Sequence, residues 1–450
     1  MSILTGKKNI HFVGIGGSGM YPIVQILASR GYKISGSDVL EGDIINYERN
    51  MGIKINIPHD PKAVEGADLV VYSAAIFKDN REIAHAKELG IPCVERSVML
   101  GEVNRFFSES ICVAGTHGKT TTTSMITQVL IKADKDPACV IGGKLPLING
   151  YGKDGKGDNI VIEACEFSNT FLELAPHIAV VLNIDNDHLD FFKTFENLQN
   201  AFKKFAALAD GGIVINADDK NTTSVIKDMQ VPITTFGIDG GDYRRVNVRK
   251  DHPAFYSFDV EHNGKILCTI NLSVPGIHNI YNAMAAFTAC TLAGLTPEEI
   301  KNGIETFGGA GRRFEIYGVV NGITIADDYA HHPSEIAATL RAAKDMGFKR
   351  VWAVHQPFTY SRTKMLLKDF ADALSIADKV VMTEIMGSRE VNTYNIYTKD
   401  LARLIPGSVW FKDFDGVVNY CKENAQPGDL IITLGCGDIY KASKRMVKEF

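Results

Sequence analysis

Two glycine-rich segments in this 450-residue chain each join an apolar run to a longer amphipathic one. The first, Gly14-Ile-Gly16-Gly17-Ser18-Gly19, follows the apolar residues 9–14 and matches G-x-G-x-x-G, and Asp38 closes the next apolar run. Residues without a Cβ let a backbone turn tightly and approach a pyrophosphate at a helix N-terminus. Taken alone, this motif fits an NAD-binding turn with Asp38 on a ribose hydroxyl, or a tight strand–helix turn that holds no ligand. The second segment is Ala114-Gly115-Thr116-His117-Gly118-Lys119-Thr120-Thr121-Thr122-Thr123. Here backbone N–H groups can cradle phosphate oxygens, Lys119 can neutralise the β- and γ-phosphates, and Thr120 can hold Mg²⁺. Only two residues separate Gly115 from Gly118, so the strict G-x-x-x-x-G-K-[ST] spacing is not kept. One ATP-type loop and one pyrophosphate loop point to two phosphorylated ligands, of which one is ATP and the other need not be NAD.

Acids and histidines follow further apolar runs. Glu163 and Glu166 stand in Val-Ile-Glu-Ala-Cys-Glu, and Asn183-Ile-Asp185-Asn-Asp187-His188 ends another run. Parallel α/β sheets place ligands at such strand ends. Carboxylate and imidazole both suit divalent cations, so Glu163 is a candidate for Mg²⁺ and His188 for a second ion. Asp187 reads as solvated loop polarity. Nearer the C-terminus come His278-Asn279-Ile-Tyr-Asn282, Gly311-Arg312-Arg313-Phe-Glu315 and Asp327-Asp-Tyr-Ala-His-His332-Pro. Paired arginines at a hinge can reach a transferring phosphoryl group, while Arg312 by itself reads as an exposed basic residue.

The elements that must carry these groups are legible as alternating apolar runs and amphipathic stretches, the habit of α/β domains with mainly parallel sheets. Strands are expected at 9–14, 32–37, 69–73, 159–163, 178–183, 212–216, 323–326, 351–355, 379–382 and 430–434, with a helix at 19–30. Residues 254–260 and 266–272 flank His262-Asn263-Gly264, a hairpin signal. The Gly- and Lys-rich stretch 142–158 reads as an exposed loop. A polar exit near Ser108 and the cluster Phe307-Gly-Gly-Ala-Gly311, read as a hinge, divide the chain into three domains: 1–108, 109–309 and 310–450.

Composition narrows the class. Hydrophobic residues are 45% and charged residues 22%, which excludes a disordered chain. A formal charge of −5 argues against a general nucleic-acid binder. No apolar run reaches bilayer-spanning length, so membrane insertion is not expected. The eight cysteines form no C-x-x-C pair, which fits buried thiols in a reducing cytosol and argues against zinc.

In their order and spacing, these segments resemble the Mur ligase family, ATP-dependent amide-forming enzymes of peptidoglycan synthesis. The resemblance spans essentially the whole chain. It rests on His11–Met20, Val71-Tyr-Ser73-Ala-Ala-Ile76, the 114–123 segment, Glu163 to Glu166, Asn183 to His188, His278 to Asn282, Gly311 to Glu315, residues 327–333, Gln356-Pro357 with Ser361-Arg362-Thr363, and Leu434-Gly-Cys-Gly-Asp438. It implies an α/β protein of three domains: a Rossmann-like domain for a UDP-sugar, a central P-loop-type ATPase domain, and a Rossmann-like C-terminal domain that closes over the site and binds the amino acid. The implied reaction joins L-alanine to the lactyl carboxylate of UDP-N-acetylmuramate through an acyl phosphate, using ATP and Mg²⁺, with two ions expected.

By resemblance, Gly14, Gly16, Gly17, Ser18, Gly19, Asp38 and Ser73 hold the uridine diphosphate sugar, which demotes the NAD reading. Gly115, Thr116, His117, Gly118, Lys119, Thr120 and Thr121 hold ATP phosphates. His278, Asn279, Asn282 and Arg313 lie by the adenine or phosphates, and Asp327 by the ribose. Thr120, Glu163 and His188 bind metal, with Lys119, Glu163, His188 and Arg313 as the catalytic set. His332 and Arg362 are assigned to the alanine carboxylate and third-domain contacts. The chain departs from the family at Phe358-Thr359, where Gln-Pro is often followed by His-Arg, and at Cys165 and Phe167-Ser168 within the common Glu-Ala-Asp-Glu-Ser-Asp run. Three other readings remain: a peptide-adding recycling ligase of the same family, an NAD(P)-dependent oxidoreductase, and a non-catalytic nucleotide-sugar sensor. The oxidoreductase leaves Lys119, Thr120, Glu163 and His188 idle, and the intact Lys119-Thr120 and Glu163 argue against the sensor.

Overall fold

The computed structural model describes residues 2–76, 79–226, 229–252, 254–388 and 390–450. The Val- and Ile-rich runs become strands buried on both faces, as parallel sheets covered by helices require; Ile111, Cys112, Val113 and Ala114 are all buried. The α/β expectation is met by three sheets.

The first sheet is parallel throughout, in the order Lys54–Asn56, Lys33–Ser37, Asn9–Val13, Leu69–Tyr72, Cys93–Glu95. Its chain order reverses at Asn9–Val13, so a crevice opens at the C-terminal end of that strand, where Gly14 begins. The second sheet has ten strands. At its centre Glu109–Ala114 lies between Ile178–Val181 and Asn159–Glu163, all parallel. The 115–118 turn, the Glu163 segment and residues 182–188 therefore leave the sheet at one edge. The third sheet starts with the antiparallel pair Glu315–Val320 and Ile323–Asp328, then runs parallel through Leu430–Leu434, Val351–His355, Lys379–Thr383 and Val409–Phe411.

Two expectations are corrected. Residues 142–158 are not a free loop: Ala138–Leu145 and Gly150–Lys153 pair as an antiparallel hairpin on the edge of the second sheet. Glycine and lysine weaken a strand's sequence signal, yet pairing with Asn159–Glu163 supplies the ladder. The first helix is Tyr21–Ser29, not 19–30, because the glycine turn continues to Met20.

The chain forms two compact units. One comprises Met1–Val246, Val260–Cys268 and Tyr281–Thr306; the other comprises Asn247–Asp259, Thr269–Ile280 and Phe307–Phe450. In the first unit one hydrophobic core continues from Leu4 to Val225, taking in residues of both sheets. The helix Tyr21–Ser29 packs on Gly150–Lys153. Ser29 Oγ donates to Asp154 Oδ2 at 2.6 Å, and the Arg30 guanidinium lies 4.8 and 4.6 Å from the ring centres of Phe106 and Phe107. In the second unit, apolar clusters cover both faces of the third sheet. Among the described residues no helix is long and apolar enough to cross a membrane.

Candidate active site

The first glycine loop needs its glycines at two points. Gly14 has φ +81°, in the left-handed region. A Cβ on Gly16 would lie 2.8 Å from Ile45 Cδ1 and 3.0 Å from Asp38 Oδ2. The Gly16 N–H donates to that Asp38 oxygen at 2.9 Å, so the acid closing the second strand is tied to the loop. Ser73 Oγ accepts the Ala75 N–H at 3.2 Å, and its Cβ is 3.4 Å from where a Gly14 side chain would start. Gly17 and Ser18 are exposed at the tip, and Gly19 lies against the Arg96 guanidinium. Behind the loop, on the helix Asp43–Asn50, Glu48 is fully buried with neither carboxyl oxygen hydrogen-bonded. Burial, reinforced by the Asp38 charge, pushes its pKa up to about 9.

The second loop ends at Gly118, whose φ of +85° starts the helix Lys119–Lys132. A glycine cap has no side-chain acceptor, so the first N–H groups of the helix face the loop, as anion binding requires. Thr120 and Thr121 stand in that first turn. Asn183 clamps the loop from the neighbouring strand end: its Oδ1 accepts the His117 N–H at 2.8 Å and its Nδ2 donates to the His117 carbonyl at 3.0 Å. Thr116 and Asp185 add a further bond, from the Asp185 N–H to Thr116 Oγ1 at 2.9 Å, and the His117 ring lies 3.1 Å from the Asp185 carboxylate.

Lys119 Nζ donates to the carbonyls of Gly115 at 2.5 Å and Thr116 at 3.1 Å, and pairs with Glu166 at 3.0 and 3.1 Å. Burial alone pulls the ammonium pKa down, but the nearby Glu166 charge outweighs it and holds the pKa above the ordinary lysine value. Thr120 Oγ1 donates to Glu163 Oε1 at 2.9 Å, and Gly142 N–H to Glu163 Oε2 at 2.6 Å. His188, in the left-handed region at φ 56°, lies 3.8 Å from Glu166, and its ring sits tilted at 51° against Phe167 with centroids 4.9 Å apart. Asn282 Oδ1 accepts from Thr122 Oγ1 at 3.3 Å, and a Cβ on Gly118 would meet the same oxygen at 2.4 Å.

The second unit holds the remaining candidates. Burial, with the Arg313 charge, pulls the His278 imidazole down to about 4. Asn279 donates to the Pro275 carbonyl at 2.8 Å. Arg312 corrects its expectation: it is not an exposed basic residue. Its Nε donates to the buried Asp327 at 2.8 Å, it also reaches the Gly435 carbonyl at 2.6 Å, and its guanidinium is 4.6 Å from the Tyr440 ring centre. Asp327 also accepts from Thr433 at 2.5 Å, so it is held on two sides. Arg313 lies over Tyr329 at 5.2 Å. His332 caps the helix Pro333–Asp345, with Nδ1 at 2.7 Å from Ser334 Oγ. Arg362 sits on the short helix Tyr360–Met365.

Within the first unit the structure gathers Gly115 to Thr121, Glu163, His188 and Asn282. It adds Glu166, Asn183 and Gly142, which the reading of the sequence did not assign. Glu166 had a signal in its place three residues after Glu163, and Asn183 in opening the strand-end segment that runs to His188; Gly142 had none.

The chain matches the models for the Mur ligase family catalytic domain over residues 9–108, the Mur ligase middle domain over 113–290 and the Mur ligase glutamate ligase domain over 312–437. It is 46% identical to a UDP-N-acetylmuramate–L-alanine ligase of Caldanaerobacter subterraneus subsp. tengcongensis, covering 98% of both chains. The chain belongs to the Mur ligase family. Among solved Mur ligase structures, the UDP-N-acetylmuramate–alanine ligase MurC of Thermotoga maritima is 29% identical with a TM-score of 0.85, covering 98% of each chain. The murein peptide ligase of Psychrobacter arcticus is 25% identical with a TM-score of 0.77, also covering 98% of each chain.

Proposed function

We propose that this Mur ligase joins L-alanine to the lactyl carboxylate of UDP-N-acetylmuramate, with ATP as the energy source, in peptidoglycan synthesis. Likeness to the Caldanaerobacter enzyme at 46% identity over 98% of both chains supports this choice of substrates. The observation that carries the chemistry is the convergence of Lys119, Thr120, Glu163 and Glu166 on one glycine loop. We assign residues 1–108 to the UDP-sugar, 109–309 to ATP and the ligase chemistry, and 310–450 to closure and the amino acid; the three family-model matches support these borders.

In the first step the lactyl carboxylate oxygen attacks the γ-phosphorus of ATP; the bond to the ADP oxygen breaks and an acyl phosphate forms. In the second, the alanine amine attacks the acyl carbon, a tetrahedral intermediate forms, phosphate leaves and the amine loses a proton. Bringing two anions together is the main obstacle, so fixed positive charge and aligned N–H groups supply most of the help. Lys119 turns from Glu166 toward the β/γ-phosphates, the helix N-terminus at Gly118 and Lys119 holds phosphate oxygens, and Arg313 meets the transferring group. His278, Asn279, Asn282 and Asp327 serve the nucleotide; His332 and Arg362 serve the alanine carboxylate. Gly14, Gly16, Gly17, Ser18, Gly19, Asp38 and Ser73 hold the UDP-sugar.

The donor set fits Mg²⁺. The Thr120 hydroxyl and Glu163 carboxylate are hard oxygen donors 2.9 Å apart, and His188 stands beside a second carboxylate. Thr120 and Glu163 would hold one ion and His188 a second, supplying charge neutralisation at the phosphates. The setting we propose is the cytoplasm; the eight cysteines are scattered along the chain with no C-x-x-C pair, which fits a reducing compartment.

The test is phosphate release from ATP with UDP-N-acetylmuramate, adding L-alanine, glycine, L-serine or a tripeptide singly. Release with L-alanine is expected. Release only with the tripeptide would favour the peptide-adding activity of relatives such as the Psychrobacter enzyme. No release with any acceptor would overturn the proposal.

A further inference from the structure

Gly142 lies on Ala138–Leu145, the strand next to the sheet's edge, in a stretch that the sequence presents as loop. Its N–H donates to Glu163 Oε2 at 2.6 Å while Thr120 holds Oε1 at 2.9 Å, so the two carboxylate oxygens are pinned from opposite sides. A Cβ on Gly142 would lie 2.6 Å from Oε1, 2.7 Å from Oε2 and 2.8 Å from the carboxyl carbon. Such contacts are far inside van der Waals separation, so one partner must move. The strand is anchored two residues before Gly142, where Val140 pairs with Ile162 of Asn159–Glu163 on one side and with Gly152 of Gly150–Lys153 on the other, and its register breaks between Val140 and Leu145. That second strand is itself backed by the helix Tyr21–Ser29: a Cβ on Gly152 would lie 2.5 Å from Pro22 Cβ. The carboxylate is the part that yields.

We propose that Gly142 is a positioning residue of the metal centre: its N–H aims the Glu163 carboxylate, and its lack of a side chain leaves room for that carboxylate to stand beside Thr120. The inference rests on the assignment of Glu163 to a divalent cation. A charge-assisted N–H···O bond of this length fixes direction as well as energy, and residues that orient ligands commonly cost 10- to 100-fold in metal affinity when lost. Because Gly142 acts through Glu163, its loss acts on metal affinity first.

The test is Mn²⁺ binding to the full chain by electron paramagnetic resonance, comparing wild type, Gly142→Ala and Glu163→Gln, with UDP-N-acetylmuramate affinity measured in parallel without metal. Gly142→Ala is expected to raise the Mn²⁺ dissociation constant about tenfold or more and leave sugar-nucleotide affinity unchanged. Unchanged Mn²⁺ affinity in Gly142→Ala, with a clear loss in Glu163→Gln, would overturn the positioning role and leave the metal assignment standing. No loss in either variant would overturn both. Should Gly142→Ala fail to fold, the Gly142 amide resonance in [¹⁵N]glycine-labelled protein decides: it must shift in Glu163→Gln, and an unmoved resonance overturns the inference.

Discussion

Lys119 is held by a bond set that a nucleotide bound as proposed would have to rearrange. Its ammonium pairs with Glu166, a carboxylate that is 1% exposed. Removing one partner of such a pair leaves a buried charge alone, which costs about 3–5 kcal/mol. Lys119→Met is therefore expected to abolish phosphate release and lower stability in denaturant melts. Adding Glu166→Gln should recover the stability but not the activity; recovered turnover would remove Lys119 from the phosphate site. Glu48 makes a second residue-scale case. A carboxyl whose pKa rises from 4.5 unfolded to about 9 folded binds more protons in the folded chain between those values. Stability then falls as pH rises from 4.5 toward 9. Glu48→Gln should thus raise stability at pH 8 by up to about 5 kcal/mol and gain nothing below pH 4.5. A gain that does not depend on pH would contradict the burial argument. Lys119 and Thr120 were legible in the sequence because a strand–turn–helix motif is local. Glu166 and Asn183 were visible only as members of polar strand-end segments, and Glu48 not at all, because their roles come from side chains meeting across neighbouring elements.

At the scale of elements, each glycine loop is a strand end, a turn and a helix start, and the turn is where substitution bites. Gly16→Ala would push on Ile45 and on Asp38, the residue that takes the Gly16 N–H. It is expected to weaken UDP-N-acetylmuramate binding tenfold or more, while ATP-analogue binding stays within about twofold, read by calorimetry; a tenfold change is about 1.4 kcal/mol. Equal loss of both ligands would mean a general folding defect instead. Central strands were legible, since continuous Val/Ile runs admit few other structures. The hairpin Asn263-Gly264 turn was too: both residues take positive φ, at 51° and 74°. Strands at or next to a sheet edge were harder. Ala138–Leu145 carries two glycines and a lysine, and its ladder partners lie elsewhere in the chain. Glu315–Val320, on the edge of the third sheet, has no fully buried residue and gives a similarly weak signal.

At the scale of the whole molecule, the three-sheet α/β plan was legible from alternation alone, but the path of the chain was not. Segments Asn247–Asp259 and Thr269–Ile280 belong to the unit that holds Phe307–Phe450. Within it Lys250 pairs with Asp345 at 3.1 Å, and Tyr256 donates to the same carboxylate at 3.4 Å. A fragment 310–450 expressed alone lacks both segments. It should melt about 5 °C or more below the matching transition of the full chain in calorimetry; an unchanged transition would show that the segments add nothing to that unit. In the other unit, both glycine loops share one continuous core, and the helix that leaves the first loop is fastened to the hairpin beside the second. The span between the two proposed anion sites is thereby preset. For a bivalent inhibitor, that makes linker length the governing variable: a uridine diphosphate mimic tethered to an adenine nucleotide mimic at the right reach would bind its second site at a high effective concentration, with avidity gained from geometry rather than from new contacts.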